Sequence, residues 1–186
     1  MCRLGSGNLL HPISPIEIHL CAEGKERFLS EYTNYSATLT DGKIIIAVDF
    51  RGLGETADPA LYSDAKYWNF EYRNAMTSMH VGRPIMGQRV MDFLTLLDFC
   101  SENEMLKEHT IKVYASGVYG PVAIHAAFLD KRISEVSISR SLKSWRSYIE
   151  NPLQRDMYSN VLYGVLRYYD LPDLIKLTSG SVKYAD

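Results

Sequence analysis

The apolar positions of the chain follow two periods in turn. Ile16–Leu20 alternates weakly and runs into the turn-like AEGK of Ala22–Lys25, after which Glu26–Leu39 carries a helical pattern. Asp41-Gly42 then punctuates a turn before Lys43–Val48 (KIIIAV), a nearly continuous β-branched run of the kind a strand shows when both its faces are covered in a parallel sheet. From Pro84, a natural first-turn residue, Val90, Phe93, Leu94 and Leu97 recur at i, i+3, i+4 and i+7, predicting a helix that ends near Cys100. A strand at Ile111–Ala115, a helix at Pro121–Leu129 and a strand at Ile133–Ile138 follow. Leu142–Ile149 and Met157–Tyr169 read as helical, and Leu171-Pro172-Asp173 opens a last short helix. Strand and helix thus alternate repeatedly, which predicts parallel βα units with right-handed crossovers.

Between Asp49 and about His80 lies a polar and aromatic stretch too long for an ordinary connection, with 57–80 expected as a long loop or lid-like insertion. Residues 1–14 read as an irregular N-terminal segment. A chain of 186 residues buries one good core and is short for two domains, so a single domain over 1–186 is expected. A formal net charge of -2 provides no field that would attract nucleic acid or an anionic membrane. The three cysteines, Cys2, Cys21 and Cys100, lack metal-ligand spacing and suggest neither a disulfide framework nor a zinc site. The opening MCRLGSGNLLHPISP holds no continuous apolar run, so nothing written there marks the chain for export, and its compartment stays open.

Two loops carry candidate chemistry. In DFRGLGETADP (Asp49–Pro59) a carboxylate at a strand end is placed to accept backbone N–H bonds, while Gly52 and Gly54 allow left-handed backbone and close approach; with Arg51 they read as a structural loop. The second is KVYASGVYGPVAIHAA (Lys112–Ala127), a strand, a glycine-bearing turn and a helix with the small residues Gly120, Ala123, Ala126 and Ala127. Together with PIEIHLCAEGK (Pro15–Lys25), IIIAVDFRGLGET (Ile44–Thr56), GRPIMGQRVMDFLTLLDF (Gly82–Phe99), VYASGVYGPVAIHAAFLDKRI (Val113–Ile133) and YGVLRYYDLPDL (Tyr163–Leu174), these segments resemble the α/β-hydrolase superfamily, specifically acetyl xylan esterase-like proteins. The resemblance implies a three-layer α/β sandwich with a mostly parallel, doubly wound sheet, shortened at the C-terminal side. It also implies, in active members, a serine nucleophile, an acid and a histidine in that chain order.

The triad does not map onto this chain. Set against the family's G-x-S-x-G elbow, Ala115, Gly117 and Tyr119 take the G, S and G positions, so the nucleophile position holds Gly117. Ser116 lies one residue early, which turns a strand-end side chain to the other face. Tyr119 stands where a small residue is expected and is predicted to fill the pocket mouth. After His125, expected as a packed helix residue, no histidine occurs, and LIKLTSGSVKYAD ends about where the family's next strand should begin. By the same resemblance an oxyanion-type pocket would use the backbone N–H of Val118 and one from Cys21–Ala22, and would bind a carbonyl or carboxylate without turning it over.

The reading that follows is a degenerate, non-catalytic hydrolase domain, similar to the second, nucleophile-lacking half of two-domain acetyl xylan esterase-like proteins, and an accessory or partial module of a carbohydrate-ester hydrolase. Its implied partners are a catalytic hydrolase domain or a second copy of the chain, and an acetylated carbohydrate; no cofactor, metal, nucleic acid or membrane is implied. The alternative is an active carboxylic-ester hydrolase using off-register Ser116 or Ser139, with His80 or another chain supplying the base. A flavodoxin-like nucleotide binder lacks a phosphate-cradling loop. Glu102, Glu104 and Glu108 read as a solvated patch, and Arg51 and Glu55 as loop scaffolding that pairs locally or near Arg83 and Arg89.

Overall fold

In the computed structural model the described residues are 14–35, 44–59, 71–151 and 157–185. Five strands, β1 (Ile16–Leu20), β2 (Ile44–Ala47), β3 (Ile111–Ser116), β4 (Ile133–Ser139) and β5 (Ser181–Ala185), form one sheet in the order β2-β1-β3-β4-β5. Every pairing is parallel. From β1 the chain winds outward to β2 and then returns across β1 to β3. The winding direction therefore reverses between β1 and β3, the position at which open α/β sheets present a crevice beyond their strand ends.

The period-2 pattern decides which side chains meet the core. Ile16, Ile18 and Leu20, Ile111, Val113 and Ala115, and Ile133, Val136 and Ile138 are all buried on one face. The step from Ile133 to Val136 breaks strict alternation because the register with β3 shifts there, pairing Ile111 with Ile133 but Lys112 with Glu135. Ser134 is the additional residue, and its hydroxyl returns a bond to the Ile111 carbonyl at 2.7 Å.

Against this face pack α3 (Ile85–Glu102) and α4 (Tyr119–Leu129), with α6 (Leu171–Leu177) beside α4. The predicted periodicity of α3 buries Met86, Val90, Phe93, Leu97 and Cys100 along one stripe. Helix α4 has no polar face: Tyr119–Ala127 are buried throughout, as expected of a helix enclosed by sheet and neighbouring helices. The opposite face carries Glu17, His19, Lys112, Tyr114, Ser116, Glu135, Ser137, Ser139 and Lys183, and α1 (Lys25–Tyr35) lies over its β1–β2 side. Helices on both faces make a three-layer α/β fold.

Several expectations are corrected. KIIIAV is not a doubly covered central strand: β2 stands at the sheet edge and is half-buried along its whole length. The expected loop 57–80 contains α2 (Tyr72–His80), whose Ala75 and Ser78 are buried, while 60–70 lie outside the described residues. Met157–Tyr169 is not one helix but two 3-10 turns, Tyr158–Asn160 and Val165–Arg167, separated where Gly164 takes φ 73°. A helix starts at Trp145 rather than Leu142, where the Ser144 hydroxyl caps α5 (Trp145–Glu150) by accepting from Ser147 N–H. The strand expected to begin near the end of LIKLTSGSVKYAD is already formed as β5. Of the expected helix Glu26–Leu39, residues 36–39 fall outside the described residues, as does the segment 1–13.

A buried ion pair ties α2 and α3 to two loops. The Arg89 guanidinium, 0% exposed, meets the Glu71 carboxylate through Nη2, and Arg89 Nε donates to the Arg51 carbonyl at 3.0 Å. Ser159 Oγ donates to Glu71 Oε2 at 2.6 Å, bringing the 3-10 turn Tyr158–Asn160 into the same network. Removing one member of such a pair strands the other charge, at about 3–5 kcal/mol. Glu71→Gln is therefore expected to lower unfolding stability by about that amount, read by urea denaturation, whereas Arg27→Gln in the exposed, solvent-screened Arg27–Glu31 pair leaves the urea midpoint almost unchanged.

Candidate functional site

At the strand ends beside the winding reversal, β3 turns sharply into α4. Gly117 makes that turn with φ 56°, the left-handed backbone of an elbow. Its N–H donates to the Ser139 carbonyl at 3.1 Å, and its carbonyl accepts from Gly120 N–H at 3.3 Å and from Ser141 Oγ at 2.5 Å. A Cβ at Gly117 would lie 2.8 Å from the Ala22 Cβ, closer than real side chains approach. The apex thus has neither the backbone preference nor the space for a side chain.

Ser116 sits half-buried one step earlier, and its Oγ accepts the Ala22 N–H at 3.0 Å. The N–H expected from Cys21–Ala22 for an oxyanion pocket is in this bond. The Cys21 thiol donates to Glu23 Oε2 at 3.2 Å, and burial followed by the Glu23 carboxylate pushes its pKa up, so it stays a thiol at neutral pH. Val118 is buried at the entry to α4.

Asp49 fastens the neighbouring loop. Its Oδ1 accepts the Lys25 N–H at 2.8 Å at the start of α1, and its Oδ2 accepts the Glu55 N–H at 3.1 Å. Gly54, at φ 54°, passes so close that a Cβ there would lie 2.0 Å from Asp49 Oδ2. Arg51 turns outward to Asp92, with Nε 2.7 Å from Oδ2, and to Gln88 Oε1 at 2.7 Å; Glu55 pairs with Lys25. Their side chains do not pair with each other or with Arg83 and Arg89, because Asp92 and Gln88 present their acceptors one turn apart on α3; Arg51 meets Arg89 only through its backbone carbonyl. Gly52 borders the Arg89 guanidinium instead.

The crevice itself is a cavity of about 230 Å³ lined by the ends of β1, β3, β4 and β5, by Cys21 and Arg140 just beyond β1 and β4, and by Phe28 of α1. His19 lies between two rings, Phe28 at 4.2 Å and Tyr114 at 4.7 Å between centroids. Burial lowers its pKa against the opposing pull of Glu17, so the imidazole is neutral. Arg140 holds φ 48° and pairs with Glu23 at 3.0 Å. A second hollow continues past Ser139 and Arg140 to Ser141, Lys143 and Tyr184.

Tyr119 does not fill the pocket mouth. It is fully buried, its hydroxyl accepts the Phe50 N–H at 3.0 Å, and its ring meets Phe50 edge-on. Neither His125 nor His80 lines the cavity, whereas Ser116 and Ser139 do. Arg140, Tyr114 and Ser137 were not singled out in the sequence. Tyr114 and Ser137 were findable from strand alternation, but nothing local marks an arginine in left-handed backbone. Among the described residues no group of three or more His, Cys, Asp and Glu side chains is placed to hold a metal ion, and no helix is long and apolar enough to cross a membrane.

These features, a parallel sheet flanked by helices with a left-handed elbow at the winding reversal, define an α/β-hydrolase-like fold. Three solved structures share it. An acetyl xylan esterase-type protein of Bacteroides fragilis NCTC 9343 matches 97% of this chain and 53% of its own, with a TM-score of 0.74 and 14% identity. Acetyl Xylan Esterase 1 of Thermoanaerobacterium sp. JW/SL YS485 matches 92% of this chain and 59% of its own, with a TM-score of 0.56 and 16% identity. The acetyl xylan esterase of Paenibacillus sp. R4 matches 89% and 52%, with a TM-score of 0.53 and 20% identity. The fold is therefore that of the acetyl xylan esterases, and the chain spans between half and three-fifths of the length of these neighbours. No family profile and no curated protein sequence matches it.

His125 gives the structure an acid-sensitive point away from the cavity. Its Nδ1 faces the Pro121 carbonyl at 2.6 Å and so carries the proton, leaving Nε2 to accept from the Tyr169 hydroxyl at 3.0 Å. Burial lowers the pKa from its ordinary 6.5, against the pull of the Pro121 carbonyl. Between the folded and unfolded pKa values the unfolded chain binds more protons, so this contribution is present above about pH 6.5 and is lost as pH falls through the folded value. Urea midpoints taken from pH 7.5 to 5 should fall for the natural chain and fall less steeply for His125→Gln.

Proposed function

We propose that this chain is a non-catalytic α/β-hydrolase-type domain, an accessory or partial module of a carbohydrate-ester hydrolase. The observation that carries this reading is Gly117 at the elbow apex, with the space for a nucleophilic side chain taken by Ala22. Acyl transfer needs an oxygen or sulfur nucleophile at that point, with a base in reach and N–H donors facing the developing oxyanion. Here the apex has no side chain, and Ser116 Oγ is bonded to the N–H that would otherwise face the oxyanion. The carbohydrate-ester context rests on the folds it shares with acetyl xylan esterases. A catalytic hydrolase domain, a second copy of the chain and an acetylated carbohydrate are the partners this role calls for.

A fluorophosphonate that labels activated serines tests the reading directly. The folded protein is expected to remain unlabelled and to leave 4-nitrophenyl acetate uncleaved above the buffer rate. Labelling that disappears in Ser116→Ala would instead establish an ester hydrolase acting through the off-register serine. Gly117→Ser is expected to lower stability by about 1–3 kcal/mol through left-handed strain, with further loss from the contact with Ala22. Adding Ala22→Gly should recover only the contact part, without creating labelling.

A further inference from the structure

Neighbouring strands lie about 4.7–4.9 Å apart, so flat side chains in register on adjacent parallel strands can stack at that spacing. His19 on β1 and Tyr114 on β3 are register partners and stack in this way, 4.7 Å apart and 9° from parallel. Phe28 of α1 covers the far side of His19. The stack advances across the sheet toward β4, where the register partner of Tyr114 is Ser137. A hydroxymethyl group is too short to continue it, so the second face of the Tyr114 ring looks over Ser137, and Tyr114 remains 37% exposed. One strand further on, Lys183 is drawn aside to Glu135 Oε1 at 2.9 Å.

Ser137 lies one strand spacing from Tyr114, and both residues line the cavity of about 230 Å³ at the strand ends. An apolar cavity of about 150 Å³ already admits benzene. Ser116 and Ser139 bring hydroxyls to the same wall, and Arg140 stands at its rim. A guanidinium carries five N–H donors in a fork that matches a carboxylate, more than the single pair to Glu23 uses. The left-handed backbone at Arg140 directs its side chain from the end of β4, a conformation that non-glycine residues seldom take.

We propose that the gap over Ser137 is a binding slot for a small planar aromatic carboxylate, its ring stacked on Tyr114 and its carboxylate on Arg140. The slot shares its cavity with the elbow but does not depend on the elbow being inert. Binding rather than turnover is therefore the quantity to measure, and failure of one reading leaves the other standing.

The test is an NMR titration of the purified chain with benzoate, cyclohexanecarboxylate and benzyl alcohol. Benzoate should shift amide signals of β3 and β4 around Tyr114 and Ser137, with cyclohexanecarboxylate roughly two- to tenfold weaker for lack of ring stacking. Tyr114→Leu should weaken benzoate by a similar factor. Ser137→Tyr supplies the missing ring and should abolish binding while the chain stays folded by circular dichroism. Arg140→Asn, which tolerates left-handed backbone, should weaken benzoate by roughly tenfold or more and leave benzyl alcohol unchanged. The proposal is overturned if benzoate does not bind, if its shifts lie elsewhere, or if either Tyr114→Leu or Arg140→Asn binds it as the natural chain does. Should Ser137→Tyr fail to fold, the Tyr114 and Arg140 variants decide between these outcomes.

Discussion

The close approach of the β1–α1 loop to the β3–α4 elbow governs this molecule. Ala22 stands so near Gly117 that a side chain has no place at the apex, and the Ala22 N–H is bonded to Ser116 on the strand that leads into it. The same loop is held from its other side by Asp49, whose carboxylate takes the first N–H of α1 and a second from the turn after β2. The ends of β1, β2 and β3 are thus bound together at the point where the sheet reverses its winding. The polar groups of this junction are largely bonded to one another.

Beneath that junction the two faces of the sheet do different work. The face under α3, α4 and α6 is aliphatic, and the buried charges beside it pair with each other, Arg89 with Glu71, whose other oxygen accepts from Ser159. The other face is polar and aromatic in alternate rows, with Lys112 and Lys183 both on Glu135 and the His19–Tyr114 stack one row nearer the strand ends. Its exposed ring and small residues lie toward the crevice, where Arg140 pairs with Glu23, while the ion pairs of Glu135 lie further along the strands. That separation gives the cavity its chemistry: rings and hydroxyls along the wall, with a guanidinium at the rim.

Much of the fold was legible in the sequence because its signals are local. The i, i+3, i+4, i+7 stripe of α3 and the strand–turn–helix of KVYASGVYGPVAIHAA depend on neighbours along the chain, as does the glycine that turns left-handed between β3 and α4. Where local signals are ambiguous, the reading failed. An apolar run such as KIIIAV suits a buried centre or a half-covered edge equally well, and the sheet order placed it at the edge. Met157–Tyr169 has helical spacing, yet Gly164 turns left-handed within it and leaves two short 3-10 turns. Tyr119 is large for a position expected to be small, yet α4 buries it against Phe50 and Arg89, a contact that spacing along the chain does not reveal.

The class of architecture and the glycine in the β3–α4 turn follow from residue type and spacing along the chain. The obstacle to a side chain at that glycine is Ala22, distant in sequence and brought close by the adjacency of β1 and β3, so it emerges only once the sheet is assembled. The same holds for the stack of Phe28, His19 and Tyr114 and for the gap over Ser137. These depend on the register between strands, a property of pairing that no single stretch of chain encodes.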